Sequence, residues 1–127
     1  MKERGDAWLW RTDSASLNWE PLEIPGEGPA ARFRATLTAL SCGTAAVLVG
    51  GRDGVKAFAD VWVLDSRPSY RWTRLDVPGA SPRFGHDAVL QPTAGGVADR
   101  VLIFGGCAGL EVPAIALGSV RITVRRR

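Results

Sequence analysis

An internal repeat constrains the fold of this chain more than any other feature of its 127 residues. Four landmarks recur in one order: an Asp-x-Trp segment, a second Trp followed by Pro-Gly, an Arg-Phe pair, and an apolar run that ends in Gly-Gly. The two copies contain Trp8 and Trp62, Trp19 and Trp72, Arg32 and Arg83, and Gly50-Gly51 and Gly105-Gly106. Corresponding landmarks lie 51 to 55 positions apart. A fixed period in this range indicates that one structural unit is stacked on another.

Each segment of the unit has the composition of a short β-strand. Residues 47–49 and 101–104 are apolar runs without alternation, which is typical of strands covered on both faces. Residues 61–64 form a similar run between two aspartates, which favour strand ends. Pro-Gly pairs at 25–26 and 78–79 mark turns. No segment combines helix caps with a 3.6-residue period, so the sequence predicts an all-β chain.

The double glycine after an apolar strand, the polar loop, the Asp-x-Trp strand and the downstream Trp together resemble the kelch repeat, from about Asp6 to Gly109. The resemblance implies blades of four antiparallel strands packed around a central channel. It implies inner strands at 33–40 and 85–91, second strands at 45–50 and 100–105, a third strand at 60–64 and an outer strand at 71–77. Residues 6–11 and 18–24 would be the last two strands of a preceding blade.

The resemblance also divides the chain. Residues 1–24 would complete a preceding blade, 25–77 would form one kelch repeat, and 78–109 would begin a second. Residues 110–127 depart from the pattern; within them 119–124 alternate as an extra strand would, and the alternative is foreign sequence that stays disordered. A closed ring needs roughly 300 residues. We therefore expect an incomplete ring with open strand edges, and a chain that is oligomeric or poorly soluble when purified alone.

The landmark residues are expected to be structural. The glycine pairs should take conformations closed to other residues and let a neighbouring blade approach. Trp19 and Trp72 should pack between blades. The resemblance implies a packing and hydrogen-bonding role for His86. Arg32 and Arg83 could bind either a partner's carboxylate or carbonyl groups between blades, and we favour the second.

Catalysis lacks the residues that it requires. The only histidine and the only tyrosine, His86 and Tyr70, lie in different elements, whereas kelch-like copper radical oxidases need Tyr, His and Cys together. Ser81, His86 and Asp87 include the residue types of a hydrolase triad, but no nucleophile-elbow motif accompanies them. The glycine-rich stretches do not match a phosphate-binding loop. We expect no enzyme activity, no cofactor and no metal ion.

Composition narrows the classes of function that remain. Cys42 and Cys107 stand far apart without a CxxC pair, so the chain offers no set of zinc ligands. The net charge of +3 is concentrated in the last residues, which argues against a nucleic-acid partner. Neither a signal peptide nor a membrane span is apparent. A cytoplasmic or nuclear location is expected.

Function should therefore lie in the loops of a rigid scaffold. Arg52, Lys56 and Phe58 follow the first glycine pair, and Arg67 and Tyr70 lie between two outer strands. Arginine and aromatic side chains are frequent in binding hot spots, so these residues are the candidates for contact with a protein partner.

Three hypotheses remain for the chain as a whole. The first is a protein–protein interaction module, such as the part of an F-box ubiquitin-ligase component that recognises substrates. The second is the non-catalytic kelch section of an enzyme such as a tRNA-modifying methyltransferase. The third is a truncated gene product without autonomous function. The sequence identifies neither the partner nor the loop that binds it.

Overall fold

A computed structural model describes residues 4–13, 15, 18–93 and 98–108 in full, and the backbone of 120–125. In chain order the strands are β1 (Ala7–Trp10), β2 (Trp19–Leu22), β3 (Thr36–Ala39), β4 (Ala45–Val49), β5 (Val61–Asp65), β6 (Arg71–Leu75), β7 (Asp87–Pro92), β8 (Ala98–Phe104) and β9 (Val120–Arg125). The described part of the chain contains no helix long and apolar enough to cross a membrane.

The strands form three antiparallel sheets. The first sheet is β1-β2, the second is β3-β4-β5-β6 and the third is β7-β8-β9. The second sheet has the four consecutive antiparallel strands expected of one repeat. Among the described residues the sheets do not close a ring. The predicted all-β fold of antiparallel sheets in an incomplete ring is thus confirmed.

The third sheet contains a strand that the repeat pattern does not supply. β9 pairs antiparallel with β8, from Ala98 opposite Arg125 to Ile103 opposite Val120. Its range overlaps the alternating residues 119–124. The remainder of residues 110–127, for which foreign sequence was the alternative, lies outside the described residues.

The apolar core lies between the second and third sheets. Alternation places Val47 and Val49 of β4 on the same face as their cross-strand partners on β5, Val63 and Val61. These four valines are buried together with Leu40 and with Val101 and Ile103 of β8. Fully burying one such side chain contributes about 1.5–3 kcal/mol. β4 and β8 each bury one face in this core. The expected cover on both faces is incomplete in β8, where Phe104 is exposed.

The two glycine pairs adopt the same backbone conformation. φ is 63° at Gly50 and 96° at Gly51. The second pair, Gly105 and Gly106, has 75° and 95°. A Cβ added to Gly50 would collide with the carbonyl oxygen of Arg83, in the segment that leads into the third sheet. At Gly105 no atom lies within 4 Å of such a Cβ. A neighbouring sheet thus approaches the first pair closely.

Arg34 has the left-handed backbone conformation that a glycine adopts at the equivalent position of the second copy. Its φ is 57°, while Gly85, at the same place in the second copy, has φ of 67°. The carbonyl oxygen of Arg34 accepts a hydrogen bond from the Gly85 amide at 3.0 Å, so this conformation joins two sheets. A side-chain-bearing residue in the left-handed region costs about 1–2 kcal/mol.

Arg34→Gly is expected to raise the free energy of unfolding by about 0.5–1 kcal/mol, because relief of the left-handed strain exceeds the entropy that glycine adds to the unfolded chain. Arg34→Ala is the control, since it removes the guanidinium but keeps the strain. Urea unfolding followed by tryptophan fluorescence measures both variants. An equal effect of Gly and Ala would show that strain is not the cause.

Candidate functional site

The loops lie at two opposite ends of the sheets. The glycine-pair end comprises the β4–β5 loop (50–60) and the segments that precede β3 (33–35) and β7 (84–86). The hairpin end comprises the β3–β4 turn (40–44) and the β5–β6 loop (66–70), which are joined by a hydrogen bond from the Ser66 amide to the Thr44 carbonyl at 2.9 Å. The structure therefore separates the predicted partner-binding residues, with Arg52, Lys56 and Phe58 at the glycine-pair end and Arg67 and Tyr70 at the hairpin end.

Arg32 anchors the β4–β5 loop. Its guanidinium donates to the Gly50 carbonyl at 2.8 Å and forms a bidentate pair with Asp60 at 2.6 and 2.9 Å. It also lies 4.0 Å from the centre of the Phe58 ring, and its side chain is only 6% exposed. We favoured bonds from Arg32 to carbonyl groups of a neighbouring blade. Arg32 instead binds Gly50 and Asp60, which belong to the sheet that begins just after Arg32.

Asp60 explains the Asp-x-Trp landmark. Its carboxylate accepts hydrogen bonds from Arg32 and from the Trp62 indole, the latter at 2.8 Å. Burial alone would raise the pKa of Asp60, but these hydrogen bonds and the charge of Arg32 outweigh burial and hold the pKa below its usual value. In the first copy Asp6 accepts from the Trp8 indole in the same way, at 2.7 Å.

Asp60→Asn should lower the free energy of unfolding by about 3 kcal/mol, because it leaves the buried Arg32 cation without its counter-charge. Asp6→Asn is the matched control: it changes the same position of the landmark on an exposed strand and should have little effect. Thermal and urea unfolding measure both changes. Similar losses for the two variants would contradict the assigned role of the Arg32 pair.

Arg83 occupies in the third sheet the place that Arg32 has in the second. Its guanidinium donates to the Gly105 carbonyl at 3.3 Å and to the Ser81 hydroxyl at 3.0 Å. Its main chain links the sheets, since the Gly51 amide donates to its carbonyl at 2.8 Å and its own amide donates to the Phe58 carbonyl at 3.2 Å. Arg83 is buried, and burial lowers its pKa. It is a structural residue at the seam between two sheets.

His86 also joins the second and third sheets. Its Nε2 lies 2.8 Å from the Thr36 hydroxyl, while its buried Nδ1 has no hydrogen-bond partner. Burial lowers the pKa of His86, and the positive charge of Arg83 lowers it further. The ring is therefore neutral near pH 7. Because Ser81 accepts from Arg83 and His86 is bonded to Thr36, these contacts do not form a hydrolase triad.

The sequence could not place His86 in every repeat, because Ala35 occupies its position in the first copy. The structure shows why both residues fit. A Cβ on Gly51 would meet the Ala35 Cβ at 2.8 Å, and a Cβ on Gly106 would meet the His86 Cβ at 2.9 Å. The position therefore requires a close fit against the glycine pair, and the imidazole adds a link to the neighbouring sheet.

The depressed pKa of His86 predicts a stability that falls in mild acid. The unfolded chain binds the proton near pH 6.5 while the folded chain resists it, so the contribution is complete above about pH 6.5 and decreases as the pH falls toward the folded-state pKa. His86→Gln should remove this slope between about pH 7.5 and 5. Asp60 does not interfere, because its carboxylate loses its contribution only below about pH 4.

Urea unfolding at a series of pH values measures this dependence. A wild-type stability that stays constant across the window, or an equal slope in His86→Gln, would contradict the role assigned to the imidazole.

A second link between sheets was not apparent from the sequence. Asp99 of β8 is almost fully buried, and its carboxylate accepts from the Ser41 amide at 3.0 Å and from the Ser41 hydroxyl at 2.6 Å. This contact lies at the hairpin end, opposite the Thr36–His86 contact. Asp99 has no counterpart in the first copy, so the repeat could not reveal it.

A cationic and aromatic surface covers the glycine-pair end. The Arg52 guanidinium lies between two equivalent rings, 5.2 Å from the centre of Phe33 and 5.0 Å from that of Phe84. The Lys56 ammonium lies 5.4 Å from the centre of Phe58. The sequence pointed to Arg52, Lys56 and Phe58 but missed the two phenylalanines, which separate copies of the repeat bring together around Arg52.

Asp53 holds the loop that carries this surface. Its carboxylate accepts hydrogen bonds from the Val55 and Lys56 amides, both at 2.7 Å, and these bonds lower its pKa. Two adjoining clefts of about 310 and 730 Å³ open beside the loop. Both are lined by Lys56, Ala57 and Pro82. The described residues at this end thus form a concave surface on a hydrogen-bonded loop, with the positive charge of Lys56 exposed.

The described residues contain no group of three or more His, Cys, Asp or Glu side chains that could hold a metal ion.

Trp72 is half-buried, and its ring lies against the backbone of Gly28. The expected burial of Trp19 is wrong, because Trp19 is 61% exposed and contacts only the Trp10 ring, at 5.7 Å between centroids, among the aromatic side chains described. Its sheet contains two of the described strands, and none of the other described sheets covers this face.

Comparison with known proteins agrees with the repeat. No protein-family model matches the chain. The chain is 35% identical over 107 residues to the serine/threonine-protein phosphatase BSL2 of Arabidopsis thaliana, an alignment that covers 82% of this chain and 10% of BSL2. The chain thus spans about a tenth of that relative, whose N-terminal part consists of kelch repeats. This is distant, partial homology to a kelch-repeat protein.

Proposed function

We propose that this chain is a section of a kelch-type propeller that serves as a protein–protein interaction module and carries no catalysis of its own. Three observations support the proposal: the ordered repeat, the antiparallel sheets with their paired glycines, and the homology to a protein with kelch repeats. Its polar clusters are engaged in internal contacts: His86 and Asp99 join the second and third sheets, and Arg32 ties the β4–β5 loop to its own sheet.

The observation that carries the proposal is the surface at the glycine-pair end. Arg52 is fixed between Phe33 and Phe84, and Lys56 stands beside Phe58 on a loop tied down by Asp53. Binding at a preorganised surface loses little conformational entropy. Arginine and aromatic side chains are also the residue types that contribute most to protein interfaces. We place the partner here rather than at the hairpin end, where Arg67 is exposed and Tyr70 half-buried, without such a fixed cluster.

The protein to which this module belongs has two candidate classes. The matched relative is an enzyme, a serine/threonine-protein phosphatase, which favours the non-catalytic kelch section of an enzyme. A phosphatase then replaces the methyltransferase as the example best supported. The substrate-recognition part of an F-box ubiquitin ligase remains a proposal that rests on the sequence resemblance alone, as does a cytoplasmic or nuclear location.

Binding of a partner is tested by affinity capture with the full chain from an extract of its source organism. Arg52→Glu combined with Lys56→Glu should abolish capture of specific partners, because it reverses the exposed charge of the surface. Arg67→Glu is the matched control at the hairpin end and should retain the same partners. Mass spectrometry of the captured proteins gives the comparison. Equal capture by both variants, or loss with the control only, would exclude the glycine-pair end as the binding surface.

A further inference from the structure

The first and third sheets are each incomplete in a complementary way. β1 and β2 carry the landmarks of β5 and β6, namely Asp-x-Trp and the second Trp. β7 and β8 carry the landmarks of β3 and β4, ending in Gly-Gly. Among the described strands, the first sheet therefore has the third and fourth strands of a repeat. The third sheet has the first and second strands, followed by β9, which lacks the landmark. Together they contain one full set of four strands.

The exposed apolar side chains follow the same division. Trp8 is 53% exposed, whereas Trp62 at the equivalent place in β5 is 5% exposed. Phe104 is 72% exposed, whereas Val49 at the equivalent place in β4 is 6% exposed. The two residues of each pair occupy the same position of the repeat. They differ in exposure because a neighbouring sheet covers only one of them. Exposed apolar area of this kind marks an interaction surface.

We infer that β1 and β2 of one copy of this chain complete the third sheet of a second copy, by pairing with the edge of β8 that β9 covers in the single chain. The register is given by the second sheet, in which Val49 pairs with Val61 and Val47 with Val63. The equivalent pairs join Phe104 to Ala7 of the second copy and Leu102 to Leu9 of the second copy. A second copy is the occupant because its β1 and β2 carry the landmarks of a third and a fourth strand, which the described strands of the third sheet lack.

This arrangement covers the exposed residues on both halves at once. The face with Trp8, Trp10 and Trp19 lies over the outer strands β5 and β6 of the other copy, as successive sheets pack in the core. The face with Val89 and Phe104 lies over β3 of the other copy. There it covers Leu37, which is 57% exposed. Leu37 is exposed because the described strands of the first sheet include no inner strand that could cover it. The sheet–sheet packing of the core is thus continued between copies.

The Asp-x-Trp landmark adds a polar contact to the same docking. Arg32 donates to the carbonyl of its glycine pair and to Asp60, the residue that opens the third strand. Arg83 donates to the carbonyl of the equivalent glycine pair. When β1 of a second copy becomes the third strand, its Asp6 lies on the same side of the sheet end as Arg83, as Asp60 does with Arg32. Asp6 is exposed in the single chain and available for this role.

The contact is heterologous, since one copy donates strands and the other accepts them. β9 then acts as a removable cover of the β8 edge. Self-association uses the sheet edges and faces, whereas partner binding uses Arg52 and Lys56 at the glycine-pair end. The two interactions are therefore independent.

Analytical ultracentrifugation of the full chain tests the inference. Ile122→Pro should strengthen self-association at least about tenfold, because Ile122 pairs with Val101 in the middle of β9 and proline disfavours that strand. Arg127→Pro, beyond the end of β9, is the control and should leave association unchanged. Association that does not respond to Ile122→Pro would overturn the competition between β9 and a second copy.

Face-specific variants in the Ile122→Pro chain test the polarity of the contact. Trp8→Glu damages the donated strand and Phe104→Glu damages the accepting sheet, so each should be monomeric alone. Their equimolar mixture should form a one-to-one dimer and nothing larger, because one intact donor meets one intact acceptor. Ser69→Glu, in the β5–β6 loop, adds the same charge elsewhere and should retain association. Self-association of either face variant alone, or a mixture that stays monomeric, would overturn the inference.

Discussion

The packing of the second sheet on the third is the interaction on which the rest of the structure depends. Valines of β4 and β5 meet Val101 and Ile103 of β8 in the buried core. Burial of apolar area supplies most of the stabilising free energy, and the polar contacts fix how the sheets are aligned. The Thr36–His86 contact aligns them at one end and the Ser41–Asp99 contact at the other.

The glycine pairs allow neighbouring repeats to pack closely. A positive φ, which glycine adopts without steric cost, lets the Arg83 main chain approach Gly50. The second pair also has positive φ, but no described atom lies within 4 Å of a Cβ placed on Gly105. The loop that follows the first pair is fixed by the buried Arg32–Asp60 pair, and it carries Arg52 between Phe33 and Phe84. The proposed binding surface is therefore a consequence of how two repeats meet, and it does not exist in either repeat alone.

Much of the fold was predictable from the sequence because its landmarks report local geometry. A run such as Val47–Val49 needs cover on both faces, and a double glycine needs a special backbone, so strand positions followed from residue types. The contacts between repeats were not predictable in this way. Asp99 has no counterpart in the first copy, Arg32 found its partner in its own sheet, and Trp19 is exposed because its burial depends on a sheet that the described chain does not supply.

Hydrogen exchange of two backbone amides tests most directly whether the repeats are packed against each other as blades. The Gly51 amide donates to the Arg83 carbonyl and the Gly85 amide donates to the Arg34 carbonyl, so both bonds span the seam between the second and third sheets. We expect both amides to be protected to the same extent as those of β4 and β8. Rapid exchange at Gly51 and Gly85 beside slow exchange within the strands would show sheets that form without packing, and would contradict it.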